Sequence, residues 1–215
     1  MTINIVLPHV ARKPGGGTKV MYEYANNLSL LGHQVTVYTC METSFFKASK
    51  VKNILRNIYF SFFTYPSWFN FHTSVKKKII YRLSNDTIAD ADIIMTTGWS
   101  ITYDLQNISL SKGKKVNLIQ DLEFWTGNKE DIHQSYKFDN ILKITYSKHI
   151  AKYIQNIRPD RVEKVNISVD RNKFKIEIPI QNRNPHSLCM MYSLEERKGS
   201  KIGYNALVKL KEQFI

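Results

Sequence analysis

At 215 residues, with 43% hydrophobic and 23% charged residues, the chain has the composition of a folded globular protein and not of a disordered one. Its net charge of +13 is local: no acid lies between Glu42 and Asp86, while Lys47, Lys50, Lys52, Arg56, Lys76, Lys77, Lys78 and Arg82 all fall inside that stretch. The two cysteines, Cys40 and Cys189, are too few and too far apart for a disulfide framework and fit reduced thiols.

The first forty residues predict a strand, a glycine loop, a helix and a second strand. Ile3, Ile5 and Leu7 alternate with Asn4 and Val6, and Pro8 closes the run. Pro14-Gly15-Gly16-Gly17-Thr18 follows as a turn, with Thr18 placed to cap a helix. Met21, Tyr24, Ala25, Leu28 and Leu31 repeat at helical spacing and Gly32 stands at the expected stop. Val35 and Val37 then alternate with Thr36 and Tyr38. Such a βαβ unit implies a parallel sheet.

The next segment breaks the pattern. Val51, Ile54, Leu55, Ile58, Tyr59 and Phe62 form a helical stripe, an aromatic loop runs from Tyr65 to Phe71, and a second helix is expected over Val75 to Ala89. Strands are then expected at Ile93–Met95, Val116–Ile119, Ile141–Thr145 and Val162–Ile167, with a helix from Lys148 to Ile157 capped by Ser147. A polar, proline-bearing stretch at 177–186 reads as a linker. Beyond it, Leu188–Tyr192 is expected as a strand, and Ile202, Ala206, Leu210 and Phe214 mark a last helix. The fold class expected is therefore α/β, a Rossmann-like parallel sheet flanked by helices. The domains expected are 1–176, carrying a basic, aromatic helical insertion over about 43–89, and an incomplete second domain at 187–215.

Two positions invite chemistry. Glycines at a helix amino terminus let anionic groups approach the backbone, which makes Gly15, Gly16, Gly17 and Thr18 a candidate acceptor or phosphate loop. A nicotinamide-type reading fits less well, since Tyr38, Thr39 and Cys40 stand where an acid is needed after the second strand. Asp121 and Glu123 follow the carboxyl end of a predicted strand, where open α/β sheets place their ligand crevice. Either could orient a hydroxyl or take its proton. His9 is a lesser acceptor-side candidate and His33 a turn residue. No pair of histidines or acids has metal-ligand spacing, so neither metal nor cofactor is expected.

Several of these stretches, in this order, resemble the two-domain GT-B glycosyltransferases that use nucleotide sugars. They are Pro14-Gly15-Gly16-Gly17-Thr18 with Tyr24-Ala25-Asn26, Leu31-Gly32-His33-Gln34-Val35-Thr36-Val37, Val169-Asp170 with Phe174, and Arg197-Lys198-Gly199. Gln120-Asp121-Leu122-Glu123 is similar to a subgroup acting on polysaccharides and rhamnans. The family pattern before the linker is Asn-Gly-Val-Asp, and here Ile167-Ser168 replaces Asn-Gly.

The resemblance implies sugar transfer from a nucleotide diphosphate to a cell-surface glycan, with a lipid-linked glycan as one form of acceptor. It makes Asp121 and Glu123 the catalytic candidates, and Lys198 with Arg197 the diphosphate ligands. It also implies a donor-binding domain supplied in cis or in trans. The alternative is a non-catalytic acceptor-binding and membrane-docking subunit. The basic aromatic stretch has three readings: an anionic membrane surface met by Lys47, Lys50, Lys52, Arg56, Trp68, Lys76, Lys77 and Lys78; a nucleic-acid surface; or a helical insertion packed on the sheet. The expectation adopted is a membrane surface and no nucleic acid. The start, Met1-Thr2-Ile3-Asn4-Ile5, lacks the pattern of a secretory leader and no apolar run reaches membrane-spanning length. A cytoplasmic protein peripheral to the inner face of the plasma membrane is therefore expected.

Overall fold

The computed structural model describes residues 1–47, 49, 51, 54–55, 58–59, 66–158 and 162–214. Lys50, Lys52, Arg56 and Phe62 lie outside the described residues. The chain divides into two compact units, Met1–Ile167 and Ser168–Ile215, so the division falls ahead of the expected linker.

The first unit is built on seven parallel strands. They are β1 (Thr2–Leu7), β2 (Gln34–Cys40), β3 (Lys76–Ile80), β4 (Ile93–Thr97), β5 (Lys114–Leu118), β6 (Leu142–Thr145) and β7 (Val162–Lys164). Their spatial order is β3-β2-β1-β4-β5-β6-β7. Helices α1 (Gly16–Leu30), α2 (Trp99–Gln106), α3 (Lys129–Tyr136) and α4 (Lys148–Ile157) supply crossovers, which a parallel sheet requires. The connections run outward in opposite directions from the β1–β4 pair, whose register is Ile3↔Ile93 to Val6↔Thr96. This is a Rossmann-like α/β sheet, and the point where its order reverses opens a crevice at the carboxyl ends of β1 and β4.

Alternation along β1 separates two cores, because the strand is central and buried on both faces. Ile3, Ile5 and Leu7 pack with Val35 and Val37 of β2 and with Met21, Tyr22 and Ala25 of α1. Val6 packs with Tyr38, Cys40 and Ile94 and with Ile101 and Leu105 of α2. Fully burying a side chain of this size contributes about 1.5–3 kcal/mol, so this strand pair anchors the unit. A third cluster joins Trp99 of α2 to Ile132 and Tyr136 of α3 and to Ile150 and Ile154 of α4.

Four expectations are corrected. The helix expected over Val75–Ala89 is strand β3, paired with β2 from Thr36↔Lys76 to Cys40↔Ile80. Lys76, Lys77 and Lys78 stand on a sheet edge, where lysines are favoured because they block further strand pairing. Their stems lie along aromatic surface: Lys77 Nζ is 5.4 Å from the Phe71 ring centre and Lys78 Nζ is 5.9 Å from that of Tyr38.

Helix α1 begins two residues before Thr18. Gly15 holds the extended cap position and no side chain caps the helix. Trp68 packs inward rather than outward: its ring lies 5.5 Å from Tyr22 and its Nε1–H donates to the Ala11 carbonyl at 2.9 Å. Finally, Leu188–Tyr192 forms no strand, and among the described residues the second unit holds no strand with which it could pair.

Other elements match closely. Ser147 Oγ accepts from the Ile150 N–H at the start of α4. Helix α1 stops at Gly32, where the His33 N–H returns to the Leu28 carbonyl at 3.1 Å. The second unit holds α5 (Ser200–Phe214), preceded by a short turn of 3-10 helix at Glu196–Lys198.

Candidate functional site

The crevice at the β1–β4 switch point contains a pocket of about 470 Å³. Four loops that leave carboxyl ends of strands form its walls. Pro8 and His9 follow β1; Met41, Phe46 and Lys47 follow β2; Gly98, Trp99 and Ser100 follow β4; Glu123 and Thr126 follow β5. Apolar walls with a few convergent polar groups are the usual make-up of a small-molecule site.

Glu123 is the group with most chemistry in the pocket. Its Oε2 accepts the Trp99 backbone N–H at 3.0 Å, one of the donors left unpaired by the first turn of α2. Its φ of 57° makes it the one non-glycine residue with positive φ among the described residues. A turn holds it there: the Thr126 N–H and Oγ1–H both return to the Glu123 carbonyl, at 2.9 and 2.7 Å. Thr126 Oγ1 also accepts the indole N–H of Trp99 at 2.8 Å, so the backbone and the ring of Trp99 are both tied to this loop. Gly127 lies against the same ring, where a Cβ would overlap it. Strain of this kind is retained where the surroundings fix it, and it is concentrated at functional sites.

Burial pushes the Glu123 carboxyl above the ordinary range. The Trp99 N–H opposes this shift, and the charge of Asp121 adds to it. Asp121 itself is exposed, does not line the pocket, and accepts the Leu122 N–H on Oδ1 at 2.8 Å. Of the two predicted acids, the structure brings only Glu123 into the pocket.

The glycine loop borders the crevice without lining the pocket. Gln120 Nε2 donates to the Gly17 carbonyl at 2.9 Å and to Thr97 Oγ1 at 3.1 Å, which ties the loop to the end of β4, one residue before Gly98. The α1 amino terminus has no side-chain cap and no acid in its first turn, while α2 is met by Glu123. Beyond Gln120 stands Tyr146, whose hydroxyl is pushed up in pKa by burial and by the charge of Asp121.

Of the lysines expected at a membrane, Lys47 is exposed and lines the pocket, and Lys76, Lys77 and Lys78 lie on the sheet edge. Lys198 and Arg197 belong to the second unit. They end the short turn before Gly199, which has a φ of 68°, and Arg197 pairs with Glu195 at 2.7 Å. Asp170 of the GT-B-like segment folds a local turn: its Oδ1 accepts the Asn172 N–H and its carbonyl accepts the Phe174 N–H.

Sequence reasoning missed Trp99, Phe46, Met41 and Thr126. They come from loops far apart in the chain, and a shared place at strand carboxyl ends is their common signal. Among the described residues no cluster of three or more His, Cys, Asp or Glu could hold a metal, and no helix is long and apolar enough to cross a membrane. Comparison with models of protein families and with curated proteins found no match to this chain.

Proposed function

We propose that the first unit is the acceptor side of a glycosyltransferase that takes its sugar from a nucleotide diphosphate. One observation carries this reading: Glu123, a carboxylate held at positive φ in the pocket of the β1–β4 switch point. A carboxylate whose proton affinity is raised by burial suits removal of a proton from a hydroxyl. In this proposal the acceptor hydroxyl hydrogen-bonds to Glu123. Its oxygen attacks the anomeric carbon, its proton passes to the carboxylate, and the nucleotide diphosphate leaves. The uncapped amino terminus of α1 and the glycines beside it favour anionic groups. For Lys198 and Arg197, in the second unit, it is the resemblance of Arg197-Lys198-Gly199 that supports a diphosphate-neutralising role.

The sequence order of Gly15-Gly16-Gly17, Gly32-His33 and Arg197-Lys198-Gly199 supports the same reading. The acceptor is a cell-surface glycan, lipid-linked in one form. The alternative, a non-catalytic subunit that binds acceptor and docks on anionic lipid, has its own support. Val51, Ile54, Leu55, Ile58 and Tyr59 carry exposed apolar side chains in a stretch without acids, and Lys76–Lys78 are exposed on the sheet edge.

Calorimetric titration of the chain with UDP, GDP and dTDP, with and without phosphatidylglycerol vesicles, tests both. Binding of one nucleotide that is lost in Lys198→Ala supports the transferase. Vesicle binding without nucleotide binding supports the subunit, and absence of both overturns the two together.

A further inference from the structure

The pocket wall that follows β2 is held by a polar clamp beneath it. Asp104, on the inner face of α2, has its side chain 2% exposed, yet it is surrounded by donors. Arg82, which follows β3, meets Asp104 Oδ1 through Nε at 2.9 Å and Nη2 at 2.6 Å. Ser44, in the loop after β2, donates its backbone N–H to Oδ2 at 3.0 Å and its hydroxyl to Oδ1 at 2.6 Å. Arg82 Nη2 also donates to Ser44 Oγ. One carboxylate therefore joins three separate segments.

The geometry points to Asp104 as the positioning residue for the pocket mouth, an inference that rests on the pocket described above as the working site. Ser44 sits between Met41 and Phe46, both of which line the pocket. The loop closes on itself through the Thr43 N–H to Phe46 carbonyl bond at 3.1 Å and the Phe46 N–H to Thr43 Oγ1 bond at 3.2 Å. Phe45 then stacks edge-on against Trp99 and Tyr103, with ring centres 4.5 and 4.7 Å away. Trp99 and Asp104 stand on the same helix, so the clamp sets the distance between the loop that carries Phe46 and the helix end that meets Glu123. A buried carboxylate with its donors satisfied holds one arrangement, because each alternative leaves a charge unpaired in the interior.

The test uses tryptophan fluorescence in the complete chain. One background keeps Trp99 alone (Trp68→Phe, Trp125→Phe), and a control keeps Trp68 alone, in the core under α1. In the first, Asp104→Asn and the milder Arg82→Gln are expected to raise the acrylamide quenching constant of Trp99 about threefold, as ring cover is lost when a hydrogen-bonded group is removed. In the control they leave Trp68 unchanged, and Arg82→Lys restores part of the Trp99 protection. Equal rises at both tryptophans would show general loosening, and no rise at Trp99 would show that the loop holds without the clamp; either overturns the proposal. The readout involves no nucleotide or sugar, so it stands or falls separately from the transferase reading.

Discussion

The Glu123 carboxylate accepts the backbone N–H of Trp99 at 3.0 Å, so an acid from the loop after β5 sits on the amino terminus of the helix after β4. The two residues are 24 apart in sequence and share no periodic signal. Both residues line the pocket at the switch-point crevice. Their pairing also explains why the acid is retained in a half-buried place, since an unpaired helix donor and a partly desolvated carboxylate satisfy each other.

That pairing has a pH signature. Burial raises the native pKa of Glu123 above its unfolded value, so the folded chain keeps this proton to higher pH than the unfolded chain does. In the window between the ordinary carboxylate range and the raised native value, the native state binds more protons, and stability falls as pH rises. Urea midpoints measured across this window should decline in the native sequence, and the Glu123→Gln chain should lack that part of the decline. An unchanged slope in Glu123→Gln would mean that the carboxyl titrates alike in both states.

The thiols give a second prediction. Cys40 is fully buried at the end of β2, and its pKa is pushed up to about 12, first by burial and then by the charge of Asp104. Cys189 is exposed. The thiolate is the reactive form, so a disulfide reagent near neutral pH should label Cys189 quickly and Cys40 only on unfolding. Rapid labelling of both cysteines in the folded chain would show that β2 opens readily.

Much of the sheet was legible in the sequence because the apolar runs of β1, β2, β4, β5 and β6 lie between turn residues. Helix α2 was not. Trp99, Ser100, Ile101, Thr102, Asp104 and Leu105 are all buried, so no polar face marks the period. Helix α3 was missed although it carries a start signal: Asn128 Oδ1 accepts the Glu130 N–H, and Glu130 and Asp131 fill the first turn. Strand β3 was misread because three consecutive lysines suit a solvated helix face as well as a sheet edge. At the site, position after a strand pointed to Asp121 and Glu123 together, and of the two only Glu123 lines the pocket. Burial and backbone conformation separate the two acids, and both depend on partners outside the motif.

Trp68 gives a third prediction. Its ring packs with Tyr22 and Phe69, and its N–H is bonded to Ala11. Trp68→Ala should therefore lower stability by about 2–3 kcal/mol, below the 3–5 kcal/mol of a fully buried aromatic because the residue is partly exposed. Its vesicle affinity, measured on the folded fraction, should stay unchanged. A large loss of vesicle affinity without loss of stability would place the ring outward at the lipid.

The lysines of β3 separate surface charge from core packing. Lys76, Lys77 and Lys78 lie on the outermost strand of the sheet among the described residues and take part in none of its apolar clusters. If that edge meets an anionic membrane, each lysine contributes about 1 kcal/mol near the surface, so changing all three to Gln should weaken binding to phosphatidylglycerol vesicles by roughly two orders of magnitude. The native chain should lose the same affinity as salt is raised, and thermal stability should change little, because exposed charges contribute little to folding. Neutral vesicles provide the control, with weak binding by both chains. Unchanged affinity of the triple variant for anionic vesicles would confine these lysines to a role at the edge itself, where positive charge stops one sheet from pairing with another. Sedimentation would then find the triple variant self-associating where the native chain stays dispersed.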